Sequence, residues 1–241
     1  MRGHLAFLVA YVAMSSCVAQ TGPSATTTPA ASAVPEVSFQ FERPGLAVPK
    51  FTIVVHEDGT GSYRGEEAPV SGGAGSSALG STSPGRPINR PMKFSPATAE
   101  MIFKTARSLD YFNIPCASKA KNIADTGKKT LSYTGPDGHG SCLYNYSENK
   151  SVTQLTETFQ AIAFTMDEGR KLEFMHRYDR LGLYSEMDTL MHEVEEKRAL
   201  EIGNITPALT AIVADEALMQ RVREKAAKLL AQGDSGAGKG H

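Results

Sequence analysis

The first folded part of the chain alternates apolar and polar side chains with a two-residue period. Residues 37–41 show this alternation, which is typical of a strand with one buried face. A second apolar run, 51–56, is followed by Asp58-Gly59 and then by a third run around Tyr63. Asp-Gly between two such runs is the strongest short hairpin signal, so these segments predict consecutive antiparallel strands.

A second hairpin is predicted further along the chain. The runs 130–134 and 142–146 flank residues 135–140, in which three glycines predict a long, loose turn. Alternate residues of a strand share a face, so Cys142, Tyr144 and Tyr146 are expected to point the same way.

The pattern turns helical in the rest of the chain. Ser95 and Pro96 predict the start of a helix that ends near residues 111–112. From Val152 onward, apolar residues recur at helical spacing and Gly169 is expected to interrupt the helix. The fold class is therefore predicted to be α+β: a small antiparallel sheet of about four to five strands packed by two helices, followed by a helical C-terminal extension.

Segments without a periodic pattern set the predicted boundaries. Residues 20–35 are rich in Thr, Ala, Ser and Pro, and they predict a disordered spacer. The α+β domain is expected at 36–168, with a flexible Gly/Ser/Pro insertion at 71–91. The helical extension is expected at 169–232, and a Gly-rich disordered tail at 233–241.

Residues 1–19 have the anatomy of a secretory signal peptide: a basic start and then a short apolar run. The run is far shorter than the ~20 residues of a membrane span, so we expect no transmembrane helix in the mature chain. Cleavage after Ala19 would release the protein, whereas Ser15-Ser16-Cys17 resembles a lipobox whose Cys17 carries a lipid. Both alternatives export the chain to the periplasm or beyond, the second with a membrane anchor.

Export changes the interpretation of the remaining cysteines. In an oxidising compartment Cys116 and Cys142 are first read as a disulfide, closing a loop of about 27 residues. The competing interpretation is a nucleophilic Cys142 with His139 as its base. Because neighbours in a Gly-rich turn would be loosely held, the disulfide is favoured.

Charge excludes some partners. With a formal net charge of −1 and a pI near 6.6, the chain has no field that would attract nucleic acid. A basic stretch between Arg170 and Arg180 is interleaved with acids and is interpreted as a solvated helix face. The expected partner is an envelope protein or a small ligand, and the apolar stripe of the C-terminal helices leaves a homodimer open.

One motif resembles a known family. It consists of Arg43, Pro49, Phe51, Ile53, Asp58-Gly59-Thr60, Tyr63 and Gly65. With the helix and strands that follow, residues 37–166 are similar to a bacterial family of exported domains of unknown function, with β-β-α-β-β-α order. Pro44 and Val48 stand where that family commonly has cysteines, so its bridge is absent and a Cys116–Cys142 bridge would replace it. The resemblance implies a fold and no activity.

No stretch of the sequence forms a complete catalytic motif. The weak candidates for a functional site are His139, Asp125 and His56, and no cofactor or metal is predicted. His56-Glu57-Asp58 is a poor metal site because consecutive strand residues point to opposite faces. The sequence therefore favours an exported, non-catalytic binding or assembly module. The alternative is an envelope hydrolase whose site is assembled from residues distant in sequence.

Overall fold

Six strands form one antiparallel sheet in the computed structural model, which describes residues 34–68 and 85–237, without the side chains of 234–237. They are β1 (Glu36–Glu42), β2 (Lys50–His56), β3 (Thr60–Glu66), β4 (Pro87–Lys93), β5 (Lys128–Gly135) and β6 (Gly138–Tyr144). Their order across the sheet is β4-β3-β2-β1-β5-β6. The predicted α+β class is confirmed, with slightly more strands than expected.

Five α-helices complete the described part of the fold. They are α1 (Pro96–Ser108), α2 (Lys150–Tyr178), α3 (Leu183–Glu195), α4 (Thr206–Ala214) and α5 (Gln220–Ala237). Helix α1 begins as predicted, because the Ser95 hydroxyl accepts a hydrogen bond from the Thr98 N–H at 3.3 Å and Pro96 follows it. No described helix combines the length and apolarity of a membrane span.

Strand β4 corrects the predicted insertion, because residues 87–91 are paired with β3. Its two prolines, Pro87 and Pro91, argue against a strand when only the sequence is considered. An edge strand nevertheless tolerates proline at positions where the N–H would point away from the neighbouring strand. On that same outer edge the Lys93 N–H donates to Asn204 Oδ1 at 2.8 Å. The edge therefore offers few free donors to another strand. Residues 71–84 of the predicted insertion lie outside the described residues.

Helix α2 is one uninterrupted helix of 29 residues, so the expected break at Gly169 is wrong. A Cβ at position 169 would lie 2.3 Å from Ile205 Cγ2, so glycine is needed for close packing. Phe159 and Ile162 in the first half of α2 are buried against the sheet, while Leu172 in the second half is buried among α3, α4 and α5. The predicted boundary at 168 thus falls inside a helix shared by two apolar clusters.

The C-terminal extension folds back on α2. After residue 205 the chain forms two helices, α4 and α5, whose Leu209, Ile212, Val222 and Leu229 are buried together. Helix α5 continues past Gly233 to Ala237. The apolar stripe that suggested a homodimer is therefore covered within the chain.

The β5–β6 hairpin has a tighter turn than predicted, with only Pro136 and Asp137 between the strands. Its glycines serve a different purpose. A Cβ at Gly138 would lie 2.6 Å from the Tyr111 ring, and one at Gly140 would lie 2.3 Å from the Tyr111 carbonyl oxygen. The glycines admit a turn after α1 against β6. Tyr146 lies beyond the strand and is 48% exposed, so it does not share the buried face of Cys142 and Tyr144.

The predicted disulfide between Cys116 and Cys142 is present, with the two Cα atoms 5.8 Å apart. It joins the segment after α1 to the outer strand β6. Both cysteines are buried, so the bridge belongs to the core on that side of the sheet.

We predict that replacing both Cys116 and Cys142 with serine lowers the free energy of unfolding by about 3.5 kcal/mol, since a closed loop of this length restricts the unfolded chain. Urea unfolding of the two forms measures the difference. Peptide mapping of unreduced protein is the control, and free thiols at both positions would contradict the bridge.

Candidate functional site

The three weakly predicted site residues do not converge. His139 is exposed near the turn of the β5–β6 hairpin, and Asp125 is exposed before the opposite end of β5. Thr134, the partner of His139, lies six residues after Lys128 along β5, so His139 and Asp125 lie roughly 20 Å apart. His56 shares a row with His139, but three strand spacings, roughly 14 Å, separate them.

Each of these residues has an ordinary structural setting. Asp125 Oδ1 accepts a hydrogen bond from the Gly127 N–H at 2.9 Å, and the His139 carbonyl accepts one from Asn113 Nδ2 at 2.9 Å. His56 lies 3.9 Å from the Glu36 carboxylate. Cys142 is held in the disulfide and is no nucleophile, while Cys17 lies outside the described residues. The described residues also contain no cluster of three metal-ligating side chains.

A large cleft lies instead between the β4 side of the sheet and the second half of α2. Its volume is about 1160 Å³. The walls come from the 47–48 and 86–90 segments on the sheet side, from 167–178 of α2, and from 207–211 of α4. Because these segments are distant in the chain, only the fold brings them together.

Ion pairs and hydrogen bonds fasten the sheet to α2 along the cleft. Tyr63 donates its hydroxyl to Asp167 Oδ1 at 2.9 Å. Arg170 also binds Asp167, at 2.9 Å, and reaches across to Glu67. Further along, Arg90 pairs with Glu173 at 2.7 Å.

Within this network, the Asp167 carboxyl has a pKa above its ordinary value. Burial raises the pKa of its carboxyl to about 6, and the hydrogen bond from Tyr63 opposes the rise. Burial likewise raises the pKa of the Tyr63 hydroxyl. Asp167 Oδ1 accepts one hydrogen bond from Tyr63 of β3 and one from Arg170 of α2 itself, so we assign this carboxyl to the attachment of α2 to the sheet rather than to catalysis.

Every acidic side chain that lines the cleft contacts a basic side chain, whereas two of the arginines that line it have no acidic partner among the described residues. Four acidic residues line it: Glu67, Asp167, Glu168 and Glu173. Each contacts a basic side chain, namely Arg170, Arg170, Lys171 and Arg90 respectively. Arg86 and Arg177 are exposed and form no ion pair with any described residue. The cleft thus presents surplus positive charge.

The cleft also has an apolar wall and an aromatic rim. Val48, Ile88 and Ala208 are buried side chains that face it. Phe174 and Tyr178 are 60% and 72% exposed, with ring centroids 5.0 Å apart. Exposed aromatic groups beside unpaired arginines indicate a binding surface.

A buried acid pair lies where α2 contacts α3. Glu168 and Glu186 are both more than nine-tenths buried, and Lys171 lies 2.7 Å from Glu186 and 3.7 Å from Glu168. Burial and the neighbouring Glu186 carboxylate raise the pKa of Glu168, while the Glu168 and Lys171 hydrogen bonds lower that of Glu186. Glu168 therefore holds a proton that the unfolded chain would release.

The cleft has little local signal in the sequence, because its basic residues follow the pattern of a solvated helix face. The basic stretch from Arg170 to Arg180 was expected to be a solvated helix face. Arg170 and Lys171 instead make contacts between elements, and Arg177 lines the cleft. Lys171, Arg177 and Arg180 are exposed, as that expectation requires, although Arg180 also pairs with Asp215.

Comparison with known proteins adds no function, because no family model matches the chain and no curated protein is significantly similar to it. The resemblance of residues 37–166 to exported domains therefore stays a prediction.

The acid pair predicts a pH dependence of stability. Glu168 has a raised folded pKa, so its stabilising contribution is complete below its unfolded pKa, near 4.5, and is lost as the pH rises through the folded value. We expect the free energy of unfolding to fall between about pH 5 and about pH 8, and Glu168→Gln to flatten that fall. Urea unfolding at several pH values measures it.

Glu195→Gln is the matched control, since Glu195 is exposed on α3 and forms no ion pair with a described residue. An equal pH dependence in the wild type and in Glu168→Gln would contradict the assignment.

Proposed function

We propose that this protein is an exported, non-catalytic binding module of the cell envelope and that it holds its ligand in the cleft between β4 and α2. The export is inferred from the signal-like N-terminus in the sequence. The disulfide Cys116–Cys142 is compatible with an oxidising compartment. Whether the mature chain is released or carries a lipid on Cys17 does not alter the proposed activity.

The observation that carries the proposal is that the acidic side chains of the cleft have basic partners, whereas two of its arginines have no acidic partner among the described residues. Each acidic side chain of the cleft contacts a basic one, either between the sheet side and α2 or within α2, and Arg86 and Arg177 have no ion pair among the described residues. Arginines that serve the fold usually have a partner, whereas unpaired ones beside exposed aromatic rings are suited to a ligand.

The rival hydrolase has less support. It required distant titratable residues to meet in a concave site, but His139 and His56 lie on separate strands and Asp125 lies in the segment before β5. Their separation favours binding over catalysis.

Filling the cleft tests the proposal. Ala211 is an exposed residue of α4 that lines the cleft, so Ala211→Trp should block it without disturbing the core. We expect a small-molecule extract of the native envelope to shift amide NMR signals of residues 86, 88–90 and 167–178 in the wild type. The shifts should saturate, and they should be absent in Ala211→Trp.

The control is Ala214→Trp, because Ala214 is exposed on the same helix but does not line the cleft. Shifts centred on His139, Asp125 or His56, or chemical conversion of a component of the extract, would overturn the proposal in favour of the enzyme.

A further inference from the structure

We infer that the ligand of the cleft is an anionic amphiphile, a molecule with one carboxylate or phosphate head and an apolar chain. This inference rests on the proposed function and names the chemistry of its ligand. It follows from three features of the cleft: where its charge lies, where its apolar surface lies, and what its sheet edge excludes.

The head group is assigned to the two unpaired arginines. Arg86 stands at the start of the segment leading into β4, and Arg177 lies in the last turn of α2, both exposed at the cleft. A guanidinium donates paired hydrogen bonds to carboxylate or phosphate oxygens. Since the acidic side chains of the cleft already contact basic partners, little negative charge remains there to repel an anion.

The chain is assigned to the apolar wall and the rim. Val48 and Ile88 from the sheet side and Ala208 from α4 supply the wall, and the rings of Phe174 and Tyr178 extend the apolar surface outward. Small-molecule sites typically have roughly 300–1000 Å³, so a cleft of about 1160 Å³ accommodates a chain as well as a head group.

The sheet edge argues against an extended peptide. A peptide that adds to a sheet needs main-chain donors and acceptors along the edge strand. On β4, Pro87 and Pro91 have no N–H, and the Lys93 N–H and carbonyl are already bound to the Asn204 side chain at 2.8 and 2.9 Å. A ligand held by side chains fits this edge better.

The test is titration calorimetry with a series of matched probes on the full chain. Dodecanoate and dodecyl phosphate carry the two candidate heads, dodecyltrimethylammonium carries the opposite charge, and acetate and inorganic phosphate carry no chain. We expect saturable binding of one or both anionic amphiphiles and binding at least about tenfold weaker for the other probes. The stronger of the two anionic probes identifies the head.

Variants locate the binding. Arg86→Gln and Arg177→Gln should each weaken binding of the anionic amphiphile about tenfold, which corresponds to about 1.4 kcal/mol. Arg64→Gln should leave it unchanged, since Arg64 is also exposed and without an ion pair among the described residues but does not line the cleft.

The outcomes that contradict the anionic ligand differ from those that contradict the binding module. Equal binding of the cationic probe that Ala211→Trp still blocks would overturn the anionic class and leave the binding module standing. Binding that survives Ala211→Trp and both arginine changes would overturn the inference, because the probe would then lie elsewhere. If none of the probes binds, the inference is also wrong. The NMR experiment with the envelope extract tests the proposed function separately.

Discussion

The fold depends on one helix that completes two apolar clusters. The first half of α2 covers the sheet with Leu155, Phe159 and Ile162, and the second half packs Leu172 and Met175 against the C-terminal helices. The absence of a side chain at Gly169 lets Ile205 approach the helix between these halves. The six-stranded sheet and the three C-terminal helices thereby pack against the same helix.

The attachment of α2 to the sheet also shapes the cleft. Tyr63, Asp167, Arg170 and Glu67 form one connected set of contacts, and Arg90 with Glu173 forms another. These contacts neutralise the acidic side chains that they involve. The positive charge of Arg86 and Arg177 therefore has no counterpart among the described residues of the cleft. The same interactions that hold the layers together therefore give the cleft its preference for anions.

Local patterns in the sequence predicted what is local in the structure. The alternation in β1 and β2, the Asp58-Gly59 turn and the Ser95 cap all depend on neighbouring residues, and each is present. Strand β4 was missed because its two prolines are tolerated only at an edge, which sequence alone does not reveal. Gly169 was misread because its packing partner lies 36 positions later in the sequence.

The cleft could not be predicted for the same reason. Tyr63 and Asp167 are 104 positions apart, and Arg90 and Glu173 are 83 apart, so no local spacing announces them. The cysteine pair was easier to predict, because the expected oxidising compartment and the number of thiols restricted the pairing. His139 was a candidate because it lies three residues before Cys142, and the fold leaves it exposed and away from the cleft.

The most direct test of the shared helix is native-state hydrogen exchange along a series of low urea concentrations. If α2 unites the two clusters, buried amides of the sheet, such as Phe39 and Leu131, should exchange through the same global opening as Leu172 and Ile212. Loss of protection at Leu172 and Ile212 at lower urea, with the sheet amides still protected, would contradict this account.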